Sequence, residues 1–201
     1  MDIHSYEQLP LEINGSTKAI SAPSSNDSGL EAELQALNSL HRTLITSDAT
    51  NAVPPPPIPV NPKRSAQVTK MRETGNAAFR KQQHSEAIKL YSLGIEMALG
   101  RPPWEPNGLV REELSQLYAN RAQAYMAGQN WAEGAVDAQC SVELKKVGNA
   151  KAWWRRGQCL LEMGRLDDAA VWMAEAVEFE GADQELGQLL DEIKKKQEKE
   201  R

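Results

Sequence analysis

The sequence predicts an all-α fold in which three helical hairpins stack into a right-handed superhelix and a last helix closes the stack. Two observations predict it. From about residue 61 the apolar pattern is helical to the end of the 201-residue chain. In the same stretch, small residues recur at fixed places in three self-similar segments, with large apolar residues between them. Small residues at such spacings let helices approach closely, and large residues fill the gaps between helix pairs.

The three self-similar segments define the repeat. Gly75, Ala122 and Gly157 occupy its first small place, and each is followed 12 and 19 residues later by another small residue. The second and third repeats are 35 residues apart, counted from Ala122 to Gly157, close to the roughly 34-residue period of the helix-turn-helix tetratricopeptide repeat (TPR). The first two repeats are 47 residues apart because the segment GRPPWEPNGLVREEL is inserted between them. Large apolar residues fill the intermediate places: Tyr91, Tyr125, Trp131, Trp153, Leu160 and Met173.

The ends of the repeats and of the chain have their own signals. No repeat carries the proline usual at the end of the unit, and we expect Gly100 and Gly148 to end the second helices of the first two repeats instead. The last helix has one apolar stripe and is otherwise charged, as the terminal helix of a repeat stack should be. The stripe consists of Leu186, Leu189, Leu190 and Ile193.

Residues 1–60 are predicted to form an extension that ends in a proline-rich spacer, and residues 61–201 to form the repeat domain. In the extension, Asn14-Gly15 lies between two extended-looking runs, which indicates a hairpin. The segment that follows reads as an amphipathic helix with Ser28 and Glu31 in a capping box. Its apolar stripe is Leu30, Leu34, Leu37, His41 and Leu44. A lone hairpin and a lone stripe are marginal in water, so we expect burial against the repeat domain or another protein.

Four consecutive prolines, residues 54–57, mark the spacer. Proline fixes φ and removes a backbone donor, so the spacer is expected to be extended polyproline II. A stiff spacer is the favoured interpretation. A PxxP ligand for an aromatic groove is the alternative, although no basic residue flanks the prolines in a helpful register.

Composition bounds the function. The net charge of −5 and the pI near 5.4 argue against general nucleic-acid binding. Cys140 and Cys159 lack metal-site spacing and are expected to be buried, reduced thiols. No nucleophile and base stand together, so we predict no enzyme, no metal and no cofactor. The chain has no secretory signal at its start and no run of roughly 18 apolar residues, so we expect a cytosolic protein that reaches membranes only through a partner.

The stretch KAWWRRG in the third repeat combines core and charge. Lys151 and Arg155 are four residues apart and therefore lie on one helical face. Trp153 takes a large-residue place and should pack inward, with Trp154 partly buried. The two cations should then point into the concave groove, which the first helix of each repeat lines. Arg156 lies off that face and is expected to be solvated.

The first two repeats add polar side chains to the same groove. Arg72 and Asn76 are also four residues apart, and Asn120 has in the second repeat the place of Arg155 in the third. We therefore expect five residues to converge: Arg72, Asn76, Asn120, Lys151 and Arg155. Three cations and two amides suit a ligand with two adjacent carboxylates, such as an aspartate at a chain terminus. The alternative is that these side chains are merely solvated.

The motifs RETGN, YANRAQAY and KAWWRR resemble, residue by residue, the dicarboxylate clamp of co-chaperone TPR domains. The resemblance implies a groove for the C-terminal Glu-Glu-Val-Asp of heat-shock chaperones of the seventy- and ninety-kilodalton classes. Arg72 departs from the family, which more often has lysine there. Because the planar arginine fork holds a carboxylate differently, the preferred chaperone class could shift.

The proline spacer, the RPPWEP insertion and the extension with LEINGSTKAIS together resemble the small peripheral TPR subunit of the fungal post-translational translocation complex of the endoplasmic reticulum membrane. That family implies a non-enzymatic adaptor, held on the cytosolic face by a single-span membrane subunit, that docks the tail of a cytosolic seventy-kilodalton chaperone carrying a precursor. The extension, residues 3–45, would then bind the partner subunit by strand addition and helix packing. The expected contacts are Leu11, Ile13, Leu30, Leu34, Leu37 and Leu44.

Other interpretations remain open. A soluble cytosolic co-chaperone for seventy- or ninety-kilodalton chaperones would have the same groove. A structural scaffold would leave the groove empty, and an enzyme would need a cluster of acid, base and nucleophile that the sequence does not offer. Trp104 in the insertion packs over helix ends or makes a second contact.

Overall fold

The computed structural model describes residues 11–46, except 24 and 26, and residues 62–200, except 102–104 and 182; the side chains of residues 44–46 and 200 lie outside the description. The described residues form eight α-helices and one two-stranded sheet. The chain divides into two compact units, residues 1–59 and 60–201. The proline spacer and Trp104 lie outside the described residues.

A short hairpin begins the first unit. Strand β1 (Glu12–Ile13) pairs with β2 (Ile20–Ser21) in antiparallel register, with Glu12 opposite Ser21 and Ile13 opposite Ile20. The predicted hairpin is therefore present, but residues 14–19 connect the strands, so Asn14-Gly15 is not a two-residue turn. The side chain of Asn14 explains the longer connection, because its Oδ1 accepts hydrogen bonds from the next two free backbone N–H groups, at residues 16 and 17, both at 2.9 Å.

Helix α1 (Ser28–Thr46) packs against β2 and completes the unit. The predicted capping box at Ser28 is wrong, because Asp27 caps the helix: its Oδ1 accepts from Gly29 N–H at 2.8 Å. Asn38 then binds both backbone groups of Ile20. It donates to the carbonyl and accepts from the N–H, each at 2.7 Å. One edge of the hairpin is thus closed by a side chain of the same unit.

The second unit is a stack of seven helices. They are α2 (Pro62–Arg80), α3 (His84–Leu99), α4 (Asn107–Ala127), α5 (Trp131–Leu144), α6 (Ala150–Glu162), α7 (Leu166–Glu180) and α8 (Gln184–Glu200). Each helix packs on the next one in sequence, and α2, α4, α6 and α8 also contact one another in turn. This arrangement confirms the all-α TPR prediction of three helical hairpins and a capping helix.

Small residues stand where the paired helices approach. A Cβ atom at Gly75 would lie 2.5 Å from Cε1 of Tyr91 on α3, and one at Gly157 would overlap Met173 on α7. Ala87, Ala122 and the other small-place alanines are fully buried. The recurring small residues of the sequence therefore mark close helix packing, as predicted.

Two tryptophans organise the third repeat. Trp153 is fully buried, and its ring centroid lies 4.3 Å from that of Trp172 on α7. Trp153 Nε1 donates to the carbonyl of Lys146 at 2.9 Å, and Trp172 Nε1 donates to the carbonyl of Trp153 at the same distance. Trp153 therefore packs inward as predicted, and Trp154 is half-buried as expected.

Arg101, at the start of the insertion, forms a buried charged network. Its guanidinium binds both oxygens of Glu113 at 2.6 and 2.9 Å, forms an ion pair with Glu105 and donates to Ser65 Oγ at 2.8 Å. Ser65 belongs to α2, so the network ties the start of the first repeat helix to the base of the insertion. Paired carboxylates compensate the burial of the cation.

Three smaller expectations need correction. Gly100 does follow α3, but α5 ends at Leu144, and Gly148 lies further on, in the connection to α6 with φ near +72°. Arg156 is not solvated: its guanidinium carbon lies 4.4 Å from the Trp172 ring centroid, and burial lowers its pKa. Cys140 is only half-buried. Cys159 is buried as expected, and burial raises its pKa to about 12.

Among the described residues, no helix is both long and apolar enough to span a bilayer.

Candidate functional site

A cavity of about 610 Å³ opens on the face formed by α2, α4 and α6. All five side chains that the sequence predicts to converge line it: Arg72, Asn76, Asn120, Lys151 and Arg155. Their common location follows from the repeat, because the first helix of each hairpin presents the same face. Their role in ligand binding stays a prediction.

Hydrogen bonds to α4 position the α6 side of the cavity. Arg155 Nη1 donates to the carbonyl of Ala119 at 2.7 Å, and its Nη2 donates to Oε1 of Gln123 at 2.8 Å, so the guanidinium bridges to α4. Burial lowers the pKa of Arg155. Lys151 lies one turn earlier and is exposed. A partly desolvated guanidinium beside an exposed ammonium provides two positive charges for an anionic group.

The two asparagines meet in the middle of the cavity. Asn76 Oδ1 accepts from Tyr91 Oη at 2.7 Å and from Asn120 Nδ2 at 3.1 Å. With its carbonyl used twice, Asn76 keeps its NH₂ group for donation to a ligand. The sequence assigned Tyr91 to the core only. The structure gives its hydroxyl a second role, which is to orient the Asn76 amide.

The α2 side carries an alternating chain of charges and an amide. Arg72 donates to Oε1 of Gln116, whose Nε2 donates to Oε1 of Glu112 at 2.8 Å. Lys145 Nζ in turn lies 3.1 Å from Oε2 of Glu112. The hydrogen bonds from Gln116 and Lys145 lower the pKa of Glu112.

The sequence analysis did not predict this series of hydrogen-bonded side chains, although the helical spacing of two of its members was apparent. Glu112 and Gln116 precede Asn120 by eight and four residues, so they lie on the same face of α4. Lys145, by contrast, follows α5 in an irregular connection, where no helical spacing indicates its direction.

A second cavity of about 710 Å³ borders the first. Both linings include Phe79, Gln123, Lys151 and Arg155. The remaining lining is apolar at Met126, Ala127, Trp131 and Trp154 and polar at Gln158 and Glu185. The pair of cavities can therefore hold a chain whose end is acidic and whose preceding residues are apolar.

The extension does not present its predicted partner-binding residues uniformly. Leu11, Ile13 and Leu37 are 48%, 68% and 46% exposed, respectively. Leu34 is buried and Leu30 half-buried, and both line a small cavity of about 340 Å³ with β2. The side chain of Leu44 lies outside the described residues. Exposed apolar side chains on β1 and α1 are thus the surface available to a partner.

Comparison with known proteins gives three main results, while no protein-family model matches the chain. The chain is 37% identical over 145 residues to the "ER protein translocation subcomplex subunit sec67" of Schizosaccharomyces pombe, an alignment that covers 71% of this chain and 75% of that protein. It is similar in structure, with a TM-score of 0.69 and 23% identity, to a chain in the Sec complex from S. cerevisiae, covering 95% of this chain and 99% of that one.

The third result concerns the repeats. The chain is similar to the second TPR domain of human RPAP3, whose structure contains the HSP70 peptide SGPTIEEVD. The TM-score is 0.55 and the identity 24%, over 65% of this chain and 98% of that domain. At these identities the two structural likenesses establish the fold alone. The relationship in sequence to the Schizosaccharomyces protein, by contrast, spans most of both chains.

Proposed function

Because the chain belongs to the family of the endoplasmic-reticulum protein translocation subcomplex subunit sec67, we propose that it is a non-enzymatic adaptor of post-translational translocation. In this role its repeat cavity docks the acidic C-terminal tail of a cytosolic seventy-kilodalton chaperone that delivers a precursor. The extension meanwhile joins the adaptor to the membrane-embedded part of the complex.

The observation that carries the proposal is the shared lining of one cavity. Arg72, Asn76, Asn120, Lys151 and Arg155 come from three repeats and line the same cavity of about 610 Å³. Three cations attract an acidic chain end, and two amides donate to it without adding charge. Solvated surface cations with no common ligand would not need to converge in this way.

The chemistry suggests how such a tail binds. The terminal aspartate brings two carboxylates close together, which suit the Arg155 guanidinium, the Lys151 ammonium and the Asn76 NH₂ group. The apolar residues before the acidic end find walls of Phe79 and Trp131 in the adjoining cavity. The tail then lies extended across α2, α4 and α6.

Magnitudes favour a modest affinity. Charge-assisted hydrogen bonds contribute roughly 1.5–3 kcal/mol each. Ordering a flexible tail offsets about 2–5 kcal/mol of that gain. A net binding free energy of about −7 to −8 kcal/mol, in the micromolar range, suits a docking step that must release its cargo.

Isothermal titration calorimetry with a peptide ending in Glu-Glu-Val-Asp tests the proposal. The double variant Arg155→Ala and Asn76→Ala should reduce binding by at least about 100-fold, because it removes one cation and one amide donor of the cavity. Arg165→Ala is the matched control, since Arg165 is exposed on the α7 side and outside the cavity lining. Undiminished binding by the double variant would refute the clamp.

Membrane attachment is assigned to the extension. Leu11, Ile13 and Leu37 offer exposed apolar surface, and Asn38 closes the β2 edge, so a partner strand would add at the β1 edge. The partner proposed is the single-span subunit of the complex, and the site is the cytosolic face of the membrane. Leu11→Asp together with Ile13→Asp should abolish co-purification with a membrane subunit while peptide binding to the cavity persists.

The second candidate is a soluble co-chaperone with the same groove, favoured by the likeness of the repeats to a TPR domain solved with a chaperone peptide. Purification from membrane extracts distinguishes the two. A co-chaperone retains chaperones from cytosol and no membrane-embedded companion, whereas the adaptor retains both.

A further inference from the structure

We propose that Glu112 is a built-in competitor of the ligand's carboxylates and thereby limits the affinity of the cavity for acidic chain ends. The proposal rests on the proposed function of the cavity and deepens it. It concerns a residue that lines the cavity but carries the same charge as the expected ligand.

The geometry places one carboxylate where the ligand's carboxylates would be drawn. Glu112 accepts from Lys145 Nζ at 3.1 Å and from Gln116 Nε2 at 2.8 Å. Gln116 passes the interaction on, because its carbonyl oxygen accepts from Arg72. One acidic side chain therefore engages Lys145 directly and Arg72 through a neutral amide, and all four residues line the same cavity.

The ion pair between Glu112 and Lys145 is weak enough for a ligand carboxylate to break it. Their side chains are 46% and 43% exposed, respectively, and such exposed ion pairs are weak. Glu112 repels a ligand carboxylate that approaches Lys145, because both carry negative charge. The ligand can bind the Lys145 ammonium only by displacing Glu112 from it. Lys145 therefore contributes little to binding while Glu112 is ionised and facing it.

Removing the charge of Glu112 should release this constraint. The variant Glu112→Gln keeps a side chain of the same size that can still hydrogen-bond Gln116. We expect it to bind a peptide ending in Glu-Glu-Val-Asp about three- to tenfold more tightly than the unmodified chain at low salt, with the difference shrinking at about 1 M salt through screening. Glu178→Gln is the matched control, because Glu178 is exposed on α7 and outside the cavity lining.

A double-mutant cycle with Lys145 tests the mechanism as well as the direction. Lys145→Met keeps the apolar stem and removes the charge. Alone it should change the peptide's dissociation constant by less than about twofold, whereas in the Glu112→Gln background it should weaken binding by about threefold or more. Calorimetry on the full chain measures all four proteins, and thermal melts check that each is folded.

The outcomes separate this inference from the function on which it rests. If the unmodified chain binds the peptide and Arg155→Ala weakens it, but Glu112→Gln leaves the affinity within twofold or lowers it, the competitor role is refuted and the clamp stands. Equal effects of Lys145→Met in both backgrounds also refute it. If the unmodified chain does not bind the peptide at all, both proposals fall.

Discussion

The two units of the chain differ in the interactions that stabilise each of them internally. Among the described side chains of the extension only Leu34 is buried, and the side chains of Asn14 and Asn38 form hydrogen bonds with the backbone of the hairpin. The repeat unit instead has two apolar cores, with Trp153 fully buried in one of them. Burying a large apolar side chain contributes about 1.5–3 kcal/mol, against roughly 0.5–1.5 kcal/mol for a typical hydrogen bond. The repeat unit therefore has the larger apolar contribution to stability, whereas the described part of the extension has little apolar core of its own.

The two units also differ in net charge. Residues 1–59 contain seven acidic and two basic residues, a net charge of −5, whereas residues 60–201 contain 21 of each and are neutral overall. The whole net charge of the protein thus lies in the extension. The proposed roles agree with this division: cations line the cavity proposed to dock an acidic tail, and an acidic extension would suit a partner surface rich in lysine or arginine.

The largest expected difference appears when the units are separated. A fragment of residues 60–201 should unfold in one cooperative thermal transition, because it keeps both cores. A fragment of residues 1–59 should show none, since a lone hairpin and a helix with one buried leucine are marginal in water. Circular dichroism melts of the two fragments measure this. A cooperative melt of the short fragment would show that the extension has a core of its own.

Within the repeat unit, Trp153→Ala should have the largest single effect. The change leaves a cavity beside Trp172 and removes the hydrogen bond to the Lys146 carbonyl, so we expect a loss of about 3–5 kcal/mol in the free energy of unfolding. Urea denaturation gives the value. The control is Trp154→Ala, which truncates a half-buried neighbour and should cost clearly less. Similar losses for both would mean that Trp153 does not organise the third repeat.

Gly157→Ala should have an intermediate effect. The added methyl group would lie 3.2 Å from Leu189 Cδ2 and overlap Met173, so overpacking should cost about 1–3 kcal/mol. Gly187→Ala on α8 is matched in chemistry, but nothing lies within 4 Å of its added methyl group. That variant should be neutral or stabilise by up to about 1 kcal/mol, because alanine favours helix. Opposite signs in urea denaturation would confirm the close packing at Gly157.

Asn38→Ala should have the smallest and most local effect. Ile20 would lose both of its hydrogen bonds to the side chain, so its amide should exchange with solvent about tenfold faster, as measured by hydrogen exchange. The melting transition of the repeat unit should not move. Gln35→Ala, on the same exposed helix, should leave the Ile20 amide unchanged. A shift of the main transition in Asn38→Ala would show that the two units share stability.

The sequence predicts best what is periodic. The small residues at Gly75 and Gly157 and the cations at Lys151 and Arg155 follow helical spacing, and helical spacing determines which residues share a face. The position of Lys145 could not be predicted, because it lies in an irregular connection after α5. Spacing along α6 predicts a solvated Arg156, but its guanidinium lies over the indole of Trp172 on the next helix, a contact that spacing within one helix does not reveal. Contacts between distant residues are the part that spacing alone cannot supply.

The close approach of Trp153 and Trp172 gives the protein an optical reporter. The two indole rings have centroids 4.3 Å apart, and Trp172 Nε1 donates to the carbonyl of Trp153. At this separation we expect their electronic excitations to couple and to give a circular dichroism band that depends on the geometry of the pair. Lys151 and Arg155 stand on the same short helix as Trp153. Binding of a ligand in the groove should therefore change the circular dichroism spectrum of the unlabelled chain.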